Sequence, residues 1–102
     1  MRIYHGRRDP ETGQAVNLAV EDTVSGHVYP IIEQPLPNTE GFEWGYAGTG
    51  PHNTARAILD DLLGTIPNWV GEFERGVIAD QEPEFDLADA VIYAWMDEHG
   101  YS

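Results

Sequence analysis

The chain has 102 residues, with 18 Asp and Glu against 5 Arg and no lysine, and its formal net charge is −13. Such a charge repels nucleic acid and anionic membrane surfaces, and it attracts basic protein surfaces. The absence of cysteine excludes thiolate nucleophiles, disulfides and zinc–thiolate sites. The length predicts a single domain over residues 1–102, and its first residues have no apolar signal run, so we expect a cytoplasmic protein.

The first half of the chain has the residue pattern of β-structure. A strand is predicted over residues 2–8, and a second over 16–20, where apolar residues alternate with polar or small ones. A third strand is predicted over 27–32, and Pro30 within it favours the edge of a sheet. Large aromatics alternate with other residues over 42–46, which predicts a fourth strand.

The second half has helical periodicity and predicts three helices. The first begins at Gly50-Pro51 and ends at Gly64, with an apolar face formed by Ala55, Ile58, Leu59, Leu62 and Leu63. The second opens at Pro67-Asn68, and its predicted buried stripe consists of Trp69, Phe73, Val77 and Ile78. The third has Asp86 as its N-cap and a predicted buried face of Leu87, Val91, Ala94 and Trp95. Strands followed by helices indicate an α+β fold, with an N-terminal antiparallel sheet of three to four strands and about three C-terminal helices packed on it.

The negative charge is concentrated in the helical half. Residues 1–50 contain seven acids and three arginines, a net charge of −4, whereas residues 51–102 contain eleven acids and two arginines, a net charge of −9. We therefore expect the helical layer to be the acidic side of the protein.

The most distinctive segment is GFEWGYAGTGP, at residues 41–51. A strand that passes through glycines into a helix start can hold an anion. No lysine follows the glycines, however, and position 53 is Asn where a third glycine would complete a dinucleotide-type pattern. A tight strand-to-helix turn beneath bulky aromatics is the favoured interpretation.

This segment, with the N-terminal RIYHGR and the region 73–79, resembles a family of small proteins classed as a domain of unknown function. Its shared features are a GFEWGY-x-G-x-GP segment and a helix with a Val-Ile-Ala ending, and it is found in bacteria, archaea and mobile elements. The resemblance covers about residues 1–80, is patchy over 14–40, and implies no reaction or catalytic residue. The chain departs from it in its acidic third helix and at Ala47, where glycine is common.

Carboxylates occupy alternate positions at Asp80, Glu82, Glu84 and Asp86, with Asp89 beyond. In an extended chain they would project to one side about 6.6 Å apart, close to the spacing of DNA phosphates. The competing interpretation is an ordinary solvated loop that ends in a helix cap, and Pro83 favours a kinked path.

Catalytic and metal-binding patterns are poorly represented. The four histidines have no paired spacing, the acidic row does not match a calcium loop, and the two serines lie outside any nucleophile elbow. Asp60 and Asp61 are adjacent on a helix face that is predicted to be exposed. We expect a protein that is not an enzyme and has no metal or cofactor.

The sequence therefore predicts a small acidic interaction protein that binds the basic surface of a nucleic-acid-binding protein. This is how a DNA mimic from a phage or mobile element would inhibit a host defence system such as CRISPR or restriction. Tyr93 or Trp95 would anchor the contact. The expected partner-binding residues are Asp60, Asp61, Glu72, Glu74, Asp80, Glu82, Glu84, Asp86 and Asp89.

Two alternatives stay open. The acidity could reflect a halophilic or high-GC source, in which case the chain is a housekeeping or ligand-binding domain with its site near Trp44, Tyr46, Gly48 and Gly50. The chain could also be the antitoxin-like partner of a basic toxin.

Overall fold

The computed structural model describes residues 1–31 and 41–101, apart from the side chains of residues 16 and 17. The elements in chain order are β1 (Arg2–Arg8), β2 (Ala15–Asp22), β3 (His27–Pro30), α1 (Thr49–Leu63), α2 (Val70–Gly76), a 3-10 turn (Ile78–Asp80), β4 (Phe85–Ala88) and α3 (Asp89–His99). The fold is α+β, as predicted, with a sheet and helices packed on it. The predicted end of the third strand and two of the acids lie outside the described residues.

The four strands form one antiparallel sheet in the order β3-β2-β1-β4. Gly6 at the centre of β1 is opposite Leu18 on one side and Phe85 on the other. Because side chains alternate between the faces of a sheet, Tyr4, Leu18 and Leu87 point into the core, and all three are buried. Pro30 lies on edge strand β3, as predicted.

The predicted fourth strand over 42–46 is wrong. Trp44 is buried and its indole N–H donates to the Pro83 carbonyl at 2.9 Å, whereas Tyr46 is half exposed. Between them Gly45 has φ 87°, a left-handed conformation that ends any extended run. The aromatic alternation is that of a loop with one ring buried and the other exposed.

The fourth strand is β4, in the segment where the sequence predicted a helix start. Phe85 and Leu87 are buried and Asp86 between them is exposed, so the period is two rather than 3.6. The N-cap of α3 is Ala88, and the prediction of Asp86 as that cap is wrong. Pairing with the second edge of β1 supplies hydrogen bonds that a helix at this position could not make.

The α1 prediction is confirmed at its apolar face and at its end, where Gly64 has φ 77°. Helix α2 ends at Gly76, earlier than predicted, although the apolar residues that follow it still reach the core. The predicted face of α3 is correct only in part: Trp95 packs partly buried against the core, but Val91 is 53 % exposed, and the buried residues are Ile92 and Met96. The prediction counted its face from Leu87, which is buried in β4 and does not belong to the helix.

Candidate functional site

The exposed charge of this protein is almost wholly negative. Among the described residues, one arginine, Arg75, belongs to the most exposed residues, and the side chains of Arg2 and Arg7 are 40 % exposed but paired with carboxylates. The nine acids in the same group are Glu11, Asp60, Glu72, Asp80, Glu82, Glu84, Asp86, Asp97 and Glu98. The surface that another molecule meets is therefore strongly acidic.

Internal pairing explains why so little positive charge reaches the surface. The three arginines of β1 each contact a carboxylate: Arg2 lies 3.4 Å from Asp61, Arg7 2.7 Å from Asp86, and Arg8 2.8 Å from Glu43. The Arg8 guanidinium also lies over the buried indole of Trp44, 4.7 Å from the ring centroid. Folding thus neutralises three of the five arginines of the chain.

Residues 80–86, which we call the acidic segment, run from the last residue of the 3-10 turn into β4. Two contacts hold its path: the Trp44 indole N–H donates to the Pro83 carbonyl, and Phe85 is buried against the same indole, with ring centroids 5.0 Å apart. Asp80, Glu82, Glu84 and Asp86 are exposed along it. A fixed backbone with carboxylates directed to solvent presents charge without first ordering a loop.

The last two carboxylates of the segment share one arginine. Glu84 lies 3.8 Å and Asp86 2.7 Å from the guanidinium of Arg7, so these alternate residues project to the same face of the sheet. Asp80 and Glu82 form no ion pair with a described residue. The expected row of carboxylates is therefore partly neutralised at its β4 end and unopposed at its start.

His5 contacts the acidic segment, a contact that sequence analysis did not identify. Its Nδ1 lies 2.6 Å from an Asp86 oxygen and its Nε2 2.9 Å from a Glu21 oxygen. Both contacts are hydrogen bonds when the ring carries two protons. The His5 contact, followed by that of Arg7, lowers the pKa of Asp86. The contact between His5 and Asp86 depends on the pairing of β1 with β4. Sequence analysis could not identify it because β4 was not predicted to be a strand.

Asp61 is not the exposed helix residue that the sequence predicted. It accepts hydrogen bonds from the hydroxyls of Tyr4 and Tyr29 at 2.8 and 3.1 Å and pairs with the Arg2 guanidinium. Burial, and then the hydrogen bond to this carboxylate, raise the pKa of Tyr4. Asp61 therefore has a structural role at the junction of α1 and the sheet, whereas its neighbour Asp60 is exposed.

Two more of the expected partner-binding residues have internal partners. Glu74 is 5 % exposed, accepts the Gly48 N–H at 3.2 Å and lies 3.3 Å from Nδ1 of His52. Asp89 accepts the backbone N–H of Arg2 at 3.0 Å. Glu72, two residues before Glu74 on α2, is exposed.

The nine expected residues do not form one patch. Asp61 and Asp89 contact Arg2 at the start of β1, whereas Asp86 contacts Arg7 near its end. Five residues of extended chain separate these arginines by about 17 Å. The structure thus separates an acidic segment at one end of the sheet from a structural carboxylate cluster at the other.

The residues of the alternative ligand site lie in different surroundings. Trp44 is buried in the core, and a β-carbon at Gly50 would lie 2.8 Å from Cβ of Glu43, so the backbone is closely packed there. Gly48 lines a cavity of about 500 Å³ on the other side of the α1 start. Within the described residues, no set of His, Asp and Glu side chains is arranged to hold a metal ion.

These features define the class of the protein: a small α+β domain that has helices packed on an antiparallel sheet and an acidic surface. A family model described as a family of unknown function, DUF6166, matches residues 4–98, and the chain belongs to that family. No curated protein and no solved structure matches the chain. Within the described residues, no helix is long and apolar enough to cross a membrane.

Proposed function

We propose that this protein binds the basic surface of a nucleic-acid-binding protein and competes there with the nucleic acid. The observation that carries the proposal is the imbalance of exposed charge, nine acids against one arginine among the most exposed described residues. Carboxylates in such excess attract a basic surface over distance and increase the rate of association.

The acidic segment is the contact that we propose. Asp80, Glu82 and Glu84 are exposed on a backbone that the Trp44–Pro83 hydrogen bond holds in place. Asp80 ends the 3-10 turn and the chain bends at residues 83 and 84, so the carboxylates do not keep the regular spacing of an extended chain. The proposed resemblance to DNA is therefore one of charge and not of phosphate spacing. Inhibition of a CRISPR or restriction nuclease by a DNA mimic from a mobile element is the specific form of this function that we propose.

Asp60 and Glu72 are exposed acids on the helices and would extend the contact away from the segment. Asp61, Glu74 and Asp89 are left out of it, because their carboxylates already accept hydrogen bonds within the protein. Substituting these three would confuse a loss of binding with a loss of stability.

Two triple variants of equal net charge test the proposal. D80N/E82Q/E84Q neutralises the acidic segment, and the control E11Q/D97N/E98Q neutralises three exposed acids elsewhere; each leaves a net charge of −10. The wild-type protein is immobilised in bacterial lysate at about 0.15 M salt, with and without excess duplex DNA. A captured nucleic-acid-binding protein is then purified and titrated with each variant.

We expect DNA to displace the captured protein, and the segment variant to bind at least about tenfold more weakly than the control variant. Equal weakening by both variants would show that net charge alone attracts the partner and would refute the assignment of the segment. Capture that DNA does not displace, or no capture at all, would refute competition with nucleic acid.

A further inference from the structure

The cavity between α1 and α2 gathers the positive charge that the rest of the fold does not neutralise. It has a volume of about 500 Å³, within the range of small-molecule sites. It is lined by Ala47, Gly48, Thr49, His52, Asn53, Arg56, Glu74 and Arg75. Two of the five arginines of the chain therefore face one cavity.

Neither of these arginines has a carboxylate partner among the described residues. Arg2, Arg7 and Arg8 each form an ion pair, whereas Arg56 and Arg75 form none, in a chain with 18 acids. Glu74, on the same cavity wall, pairs with His52 instead. The two unpaired guanidiniums thus bring positive charge to one place on a protein whose surface is otherwise acidic.

The start of α1 does not itself provide the site, because the Glu74 carboxylate already accepts the Gly48 N–H there. Positive charge comes from the two guanidiniums, each a planar donor that matches the oxygens of a phosphate. The acids elsewhere on the surface oppose an anion only weakly at physiological salt, where the screening length is about 8 Å.

We propose that this cavity binds a small dianion of the phosphate class, held between Arg56 and Arg75, with the Thr49 hydroxyl beside it. A phosphate monoester offers oxygens to both guanidiniums at once, whereas the two oxygens of a monocarboxylate match a single guanidinium. The Glu74 carboxylate on the same wall opposes an anion, but its oxygens are already engaged by the Gly48 N–H and by Nδ1 of His52. This site is separate from the acidic segment and does not depend on the proposed protein partner.

The test is titration calorimetry of the whole chain with inorganic phosphate and with phenyl phosphate, and with acetate as the monoanion, all at constant ionic strength. Arg56→Gln and Arg75→Gln each remove one lining charge. Arg7→Gln is the matched control, because it removes one arginine far from the cavity. The thermal melt of each variant confirms that it folds. We expect little change for Arg56→Gln and Arg75→Gln, which lose no ion pair with a described residue, and a lower melting temperature for Arg7→Gln, which loses its contacts with Glu84 and Asp86.

We expect saturable binding of phosphate, loss of at least about tenfold in affinity for each lining variant, and no change for Arg7→Gln. Tighter binding of phenyl phosphate would assign the site to a phosphate monoester, and tighter binding of inorganic phosphate would assign it to the free ion. No saturation by either compound up to about 10 mM would overturn the proposal. Equal loss in all three variants, or equally tight binding of acetate, would also overturn it.

Discussion

The closest approach in the sheet, between Gly6 and the Phe85 ring, gives a prediction of stability. A β-carbon added at Gly6 would overlap this ring and would lie 2.7 Å from its Cδ1 atom. The ring cannot move freely, because it is 5 % exposed and packs edge-on against the Trp44 indole. Gly6→Ala therefore forces one of two buried aromatics to shift.

Two opposing effects set the magnitude. Replacing glycine in a strand by alanine normally stabilises by about 0.5–1 kcal/mol, because the unfolded chain loses freedom. Overpacking a well-filled core destabilises by about 1–3 kcal/mol. We expect a net loss of about 1–2 kcal/mol for Gly6→Ala, which lowers the melting temperature by about 4–16 °C in a domain of this size.

A double-mutant cycle with Phe85→Ala isolates the contact. That substitution alone should destabilise by about 3–5 kcal/mol, since it leaves a cavity beside Trp44. In its background Gly6→Ala should be neutral or stabilising, because no ring remains above position 6. Urea denaturation of the four proteins gives the coupling free energy. An equal loss from Gly6→Ala in both backgrounds would refute the steric explanation.

Two further predictions concern carboxylates with structural roles. Asp61→Ala leaves the Tyr4 hydroxyl without its partner and should lower the free energy of unfolding by about 1–3 kcal/mol in urea, whereas Asp60→Ala, an exposed neighbour, should change it by less than about 0.5 kcal/mol. Equal effects would contradict the structural role of Asp61. His5 and its neighbours lower the pKa of Asp86 in the folded state, so Asp86 contributes stability above the unfolded pKa of about 3.9 and loses it as pH falls through the folded pKa. In acid-denaturation curves, the free energy of unfolding should therefore fall less steeply between about pH 5 and 2 for Asp86→Asn than for the control Asp60→Asn. Equally steep curves for the two variants would contradict this role of Asp86.

The sequence predicted those parts of the fold in which one periodicity dominates. Ala55, Ile58 and Leu59 repeat at helical spacing between Pro51 and Gly64, and α1 forms there with that face buried. The fold class followed from the order of the strands and helices. These features depend on local pattern, which a single sequence records directly.

The errors arose where a local pattern had two interpretations. Asp86 is a good N-cap in isolation, but pairing of β4 with β1 makes it the exposed residue of a strand. The alternating aromatics suited a strand, but Gly45 turns the chain between them. In both places the tertiary environment selected the less probable local structure, which propensity alone cannot anticipate.

The acidic surface was predicted from the sequence, but the carboxylates that have internal partners were not. The acidic segment was identified, and its acids are exposed. Which carboxylates have internal partners depends on contacts between residues far apart in the chain. Asp61 meets Tyr4 across 57 positions, and Glu74 meets Gly48 across 26. No spacing rule relates such pairs, so the buried carboxylates could not be separated from the exposed ones.

The scarcity of positive charge connects the two proposals. With five arginines against 18 acids, most carboxylates have no arginine to pair with. Three arginines pair along β1, and Arg7 among them contacts Glu84 and Asp86, so Asp80 and Glu82 are the acids of the acidic segment that form no ion pair with a described residue. The remaining two line one cavity and have no carboxylate partner among the described residues, although eleven acids lie in the same half of the chain. A surplus of acids gives no reason for two arginines to line one cavity, whereas the anion that we propose would give one.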